Sequence, residues 1–146
     1  MDKKEKKGSA IKSIKHVPKH LTSLSFFLLL GIVFILFWGR KTEAFRFDFL
    51  QQQMPDFYQH ISNFSLSYLL YSGIGYFWLM MGVKFKFLIY FGIALLLANL
   101  IYELFISILN TPDITDAYFG FAGIFLGFLF LYSVYRFGLK PNPLAE

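Results

Sequence analysis

Five ionisable residues carry the chemical interest of this chain: Asp56, His60, Glu103, Asp113 and Asp116. Glu103 is the least expected of them. It sits within the apolar run Phe87 to Leu109, which is otherwise long enough to cross a bilayer. A carboxylate in a membrane segment costs at least ~2.5 kcal/mol on insertion scales, so it needs a partner or a task. Asn99 precedes it by four residues and shares its helix face, as Asp56 does with His60. An inward carboxylate with an amide one turn away is how a polar pocket inside a helix bundle would be built. A buried acid beside an imidazole is a general acid–base pair.

Each of these residues also has a plainer reading. Asp113 and Asp116 flank the start of an apolar helix, where carboxylates cap free backbone N–H groups and favour the positive end of the dipole. Glu103 could serve only to lock helices together by a hydrogen bond. His60 suits a membrane interface, and the serines between Ser62 and Ser72 suit bonds across helices. Gly120, Gly123 and Gly127 mark one face of the last helix, and close helix packing is their expected role.

The elements that must position these groups follow from composition. The chain has 146 residues, is 56% hydrophobic and contains 20 phenylalanines. That exceeds the roughly 45–50% apolar content of soluble domains, and the mean hydropathy of +0.53 agrees. The expected fold is an all-α membrane protein with four transmembrane helices at about 21–39, 60–83, 87–109 and 117–135. Residues 1–20 form a basic tail, disordered or lying on an anionic membrane surface, and 136–146 a second tail. Residues 40–59 read as an amphipathic surface segment rich in aromatics, with Pro55 and Asp56 opening the second helix. The first apolar run is too long for a signal-peptide core and lacks a small-x-small cleavage site, so it reads as a retained span.

Four crossings put both termini on one side. Seven lysines in the tail, Lys84 and Lys86 in the turn, and Arg136 and Lys140 at the end fall on that side. Only Arg40, Lys41 and Arg46 fall on the other. The positive-inside rule then makes both termini cytoplasmic. By parity, Asp56, His60, Glu103, Asp113 and Asp116 gather at the outer face.

Several functions are disfavoured by what the sequence lacks. No cysteine is present, so neither a disulfide framework nor thiol chemistry is available. No HExxH, CxxC, Walker or GxSxG motif occurs. No cofactor is expected. No metal is expected either, since no ligand spacing points to one and His16 and His20 lie across the membrane from His60. The net charge of +5 reads as a topology signal, because no aromatic interleaves the tail lysines as nucleic-acid binding would require.

Asp56-x-x-x-His60 at the head of a membrane helix resembles the Asp-Lys-x-x-His start of the VanZ-like family of small bacterial membrane proteins. Glu103, a Pro-containing turn, and Asp116 followed by Gly123 and Gly127 resemble that family's second signature. The similarity covers residues 56–127. Here Phe57, Ile106, Gly120 and Phe64 stand where the family has Lys, Gln, Asn and Tyr, and the turn lacks its Arg. The resemblance implies a polar cluster of Asp56, His60, Glu103 and Asp116 as the acid–base set. Asn99, Asp113 and Asn63 would bind the ligand. It implies a multi-pass protein of the bacterial cytoplasmic (inner) membrane, with a cell-envelope role connected with antibiotic resistance. Its pocket would bind or act on a lipid-linked or glycopeptide-type ligand. Two other functions are open: a small proton-coupled multidrug-type exporter, which four helices, one membrane carboxylate and many aromatics would suit, and a non-catalytic membrane scaffold subunit, which the glycine face and the basic tail would suit. The expected partners are membrane lipids, the envelope ligand and further copies of the chain, without nucleic acid.

Overall fold

A computed structural model describes residues 14–105 and 113–145. The described residues are all-α apart from one short ribbon. The helices are α1 (His20–Gly39), α2 (Asp48–Gln53), α3 (Phe57–Met80), α4 (Phe85–Phe105) and α5 (Ile114–Ser133). A π-helical turn, Val134–Gly138, extends α5. Strand β1 (His16–Pro18) then pairs antiparallel with β2 (Leu139–Pro141), Val17 opposite Lys140.

Among the described residues, three helical segments are long and apolar enough to cross a membrane. They are His20–Gly39, Phe85–Glu103 and Ile114–Gly138, with mean hydropathies of 2.4, 1.9 and 1.8. At 1.5 Å per residue, twenty residues span about 30 Å, the thickness of a bilayer's hydrocarbon core. Only 6% of the α1 window is buried within the protein. Its Leu24, Phe27, Leu28, Ile32 and Phe34 are all exposed. A helix apolar on every side and left uncovered by protein needs lipid as its solvent. The chain is therefore a multi-pass membrane protein.

Helix α3 has a different composition and a different position. It carries Ser62, Asn63, Ser65, Ser67 and Ser72, and it is not among the three apolar segments. It lies at the centre, packed on α5 above all and also on α1 and α4. Its buried residues Tyr58, Ile61, Ser65, Tyr68, Ser72, Gly75 and Leu79 recur every three or four positions, the stripe that one helix face presents to its neighbours. The seam with α5 is lined by small residues. A Cβ on Gly123 would stand 2.2 Å from the Phe64 carbonyl oxygen, and one on Gly75 would stand 2.4 Å from Leu131. The two backbones approach closely because nothing protrudes there, which is the usual route to tight helix pairs in membranes. Tyr71 crosses the same core and donates a 3.0 Å hydrogen bond to the Leu88 carbonyl of α4.

Helix boundaries shift from those expected for local reasons. α3 opens at Phe57, directly after the Pro55–Asp56 turn, and α4 opens at Phe85. Between them Gly82 takes φ +79°, a left-handed conformation that glycine adopts without strain. α5 opens at Ile114 because the Asp113 side chain caps it. Residues 16–18 are strand rather than tail. The rest of the expected basic tail, residues 1–13, the expected end of the third span, 106–109, and the turn expected at Asn110-Thr111-Pro112 lie outside the described residues.

The amphipathic connection holds a 3-10 turn, Glu43–Phe45, and the short α2. It is pinned over the start of α3. The Phe47 backbone N–H donates to the Tyr58 hydroxyl at 2.8 Å, and Arg46 lies 5.8 Å from the centre of the Tyr58 ring. Arg46 Nε also donates to the Gly39 carbonyl at 2.8 Å. Asp48 and Phe49 remain exposed.

Candidate functional site

The site is built on the first two turns of α3. His60 and Asn63 are three residues apart and so project from neighbouring parts of one helix face. They reach in two directions. His60 Nδ1 lies 2.9 Å from Asp116 Oδ1 and 3.7 Å from Asp113 Oδ2, both at the start of α5. Asn63 Nδ2 donates to Glu103 Oε1 of α4 at 2.8 Å. Six of the seven residues singled out from the sequence thus fall in one neighbourhood, joined through α3.

An ionised carboxylate can only accept a hydrogen bond, so Nδ1 of His60 carries the proton in this pair. Nε2 is left as the nitrogen that can take up or release one. The ring also rests 5.5 Å, centre to centre, from Phe119. Asp113 is spoken for at the other oxygen: its Oδ1 accepts from the Thr115 backbone N–H at 2.8 Å. Its pKa is lowered, first by that bond to Thr115 and further by the nearby His60. The capping role expected of Asp113 is therefore present, and the same residue also faces the imidazole.

Glu103 is 1% exposed, deep between α3 and α4. It forms part of the wall of a cavity of about 320 Å³. Asn63, Ser67 and Asn99 supply the other polar groups there, and Leu66, Leu70 and Leu95 supply apolar wall. Asn99 is held by α5, to whose Ala117 carbonyl it donates at 3.1 Å. Its side chain occupies the space that a Cβ on Gly120 would need. The glycine face of α5 thus does more than pack helices, because Gly120 leaves room for a polar wall residue.

Asp56 is the exception. It is exposed and accepts from Gln59 Nε2 at 3.0 Å, without capping α3 through its side chain. The sequence placed it on the His60 face. However, α3 begins only at Phe57, so the four-residue helical spacing does not extend back to Asp56. Three residues were not anticipated. Arg40 donates to the Ser62 hydroxyl from the end of α1. Tyr58 anchors the connection above the site, and Ser67 lines the cavity. A tyrosine in the first turn of a polar helix start gave no sequence signal by itself.

His60, Asp113 and Asp116 each offer one ligand atom, and these atoms lie within 4.8 Å of one another. One imidazole and two carboxylates are a donor set that divalent transition metals accept. No spacing rule reveals it, since His60 and Asp116 are 56 positions apart. As it stands, the arrangement is an imidazole–carboxylate pair, suited to proton transfer at Nε2. Beside it lies a buried carboxylate with amide and hydroxyl neighbours in a largely apolar cleft.

No family model, no curated protein and no solved structure matches this chain.

Proposed function

We propose that the chain is a VanZ-like envelope protein of the bacterial cytoplasmic membrane, with four crossings, cytoplasmic termini and a binding cleft at the outer leaflet. The single observation that carries this reading is the cavity walled by Glu103, Asn63, Asn99 and Ser67 among leucines. Such a cleft suits an amphiphile. Carboxylate and amide groups accept and donate hydrogen bonds to a hydroxyl- or amine-bearing headgroup, while Leu66, Leu70 and Leu95 receive its chain. A lipid-linked saccharide or a glycopeptide carries those groups. Glu103, in the wall of that cavity, is the acid or base for any reaction at the headgroup, and His60, paired with Asp116 of α5, is a second proton-transfer group outside the cavity wall.

The topology is supported by the ribbon. Pairing of residues 16–18 with 139–141 brings both ends of the described chain together at the end of the bundle opposite His60. That end also carries Lys84 and Lys86, as the positive-inside rule asks of a cytoplasmic face. The fourth crossing is α3, whose 24 residues are long enough and whose polar groups find partners on its neighbours, Ser62 with Arg40 and Asn63 with Glu103.

The test is retention of ligand by the purified chain in native mass spectrometry. Polyprenyl-diphosphate-linked saccharide should be retained over bare polyprenyl phosphate, and Glu103→Gln should abolish the preference without changing membrane insertion. Equal retention by Glu103→Gln would refute the assignment. The same carboxylate among aromatic and apolar walls would also attract a lipophilic cation, so proton-coupled export is the second reading. Efflux in vesicles that follows a proton gradient and disappears in Glu103→Gln would select it.

A further inference from the structure

A second cavity, of about 710 Å³, lies at the end of the bundle where β1 and β2 meet the turn between α3 and α4. Its charged lining is of one sign: Lys84 and Lys86 from the turn and start of α4, and Lys140 from β2. Among the described residues no Asp or Glu lines it. Lys15 joins the rim, its Cδ 2.8 Å from where a Cβ on Gly82 would stand. Among the described residues, none of these four lysines takes part in an ion pair. His16 also lines the cavity, and its Nδ1 is buried without a hydrogen-bond partner.

This arrangement is unfavourable when empty of charge. Like charges around one cavity repel, and a buried nitrogen without a partner forfeits its hydrogen bond to water. One anion relieves both. The apolar part of the lining fixes what sort of anion. Val83, Phe85, Tyr135 and Leu139 form the remaining wall, continuous with helices whose outer surfaces are apolar and exposed. Basic pockets between membrane helices at the cytoplasmic face are where phosphate headgroups bind. The volume also falls in the range of a small-molecule site rather than that of a lone ion. We propose that the strands and the α3–α4 turn form a binding site for the phosphate headgroup of an anionic lipid. The site is separate from the Glu103 cleft and does not depend on its function.

The experiment uses the full chain in phosphatidylcholine nanodiscs, titrated with phosphatidylglycerol or cardiolipin and, separately, with inorganic phosphate. Retained lipid is read by native mass spectrometry, and folding by circular dichroism. Anionic lipid should be retained over phosphatidylcholine, with an affinity that falls as salt rises. Each juxtamembrane lysine contributes about fivefold to such binding, so Lys140→Gln should weaken it by about that factor and the triple variant at 84, 86 and 140 by about a hundredfold. Lys140→Arg should restore it, and Lys41→Gln, at the other end of the bundle, should leave it unchanged. Equal retention by a folded Lys140→Gln variant and the parent chain would overturn the proposal, as would equal retention of phosphatidylcholine. Inorganic phosphate that displaces the retained anionic lipid and is itself held with equal affinity would overturn the lipid assignment in favour of a soluble phosphate.

Discussion

Replacing Gly123 with alanine tests the seam that holds the candidate site together. The added Cβ would lie 2.2 Å from the Phe64 carbonyl oxygen and 3.0 Å from the Tyr68 backbone nitrogen. Both are backbone atoms of α3, so no side-chain rotation relieves the contact. The helices must part by about 1 Å to restore an ordinary separation. Overpacking of this kind costs about 1–3 kcal/mol. The higher helix propensity of alanine returns up to about 1 kcal/mol. The net expectation is a loss of about 1–2 kcal/mol. Gly31 and Gly73 provide the control, since a Cβ at either meets nothing within 4 Å. Gly31→Ala and Gly73→Ala should be neutral or stabilising by up to about 1 kcal/mol. Unfolding in mixed micelles titrated with dodecyl sulfate, followed by circular dichroism, gives the three midpoints. His60 and Asp116 sit on the two helices that part, so ligand retention should fall in Gly123→Ala as well. A midpoint for Gly123→Ala equal to that of Gly73→Ala would refute the close α3–α5 seam.

Other expectations follow from single contacts. Asn63→Leu removes one donor from the buried Glu103 carboxylate and should cost about 1.5–3 kcal/mol in the same titration, with Asn63→Gln less severe. Tyr71→Phe removes the bond to the Leu88 carbonyl and should cost about 1 kcal/mol. Asp113 has its pKa lowered from 3.8 by the Thr115 bond. Its stabilisation is therefore fully present above that value and lost as pH falls through the depressed one. The difference in stability between the parent chain and Asp113→Ala should be constant near neutral pH and should vanish only in strong acid. A difference that already disappears near neutral pH would refute the assignment to Asp113.

Much of the helical architecture was legible because hydropathy reports it directly. The runs that became α1, α4 and α5 are apolar on all sides, and lipid-facing helices need no other pattern. Helix α3 was harder to read. Its serines make it look weak as a span, yet Ser65 and Ser72 are buried and Ser62 meets Arg40 at the end of α1, contacts that depend on its neighbours. The pairing of His60 with Asp116 was approachable by parity, since alternate crossings return the chain to the same face. Helix rotation was not legible, and it decides that Asn63 meets Glu103 while Asp56 meets only Gln59. The ribbon of residues 16–18 and 139–141 was invisible for a related reason. Three-residue strands carry no periodicity, and their partner lies at the other end of the chain.

Sidedness is the most direct test. The chain has no native cysteine, so a single one placed at His60, or at Lys140 of β2, reports its location without interference. A membrane-impermeant maleimide added to intact cells should label His60→Cys at once and Lys140→Cys only after permeabilisation. Labelling of both from the same side would mean that the imidazole and the paired termini share a face, and the outer-leaflet cleft would not exist.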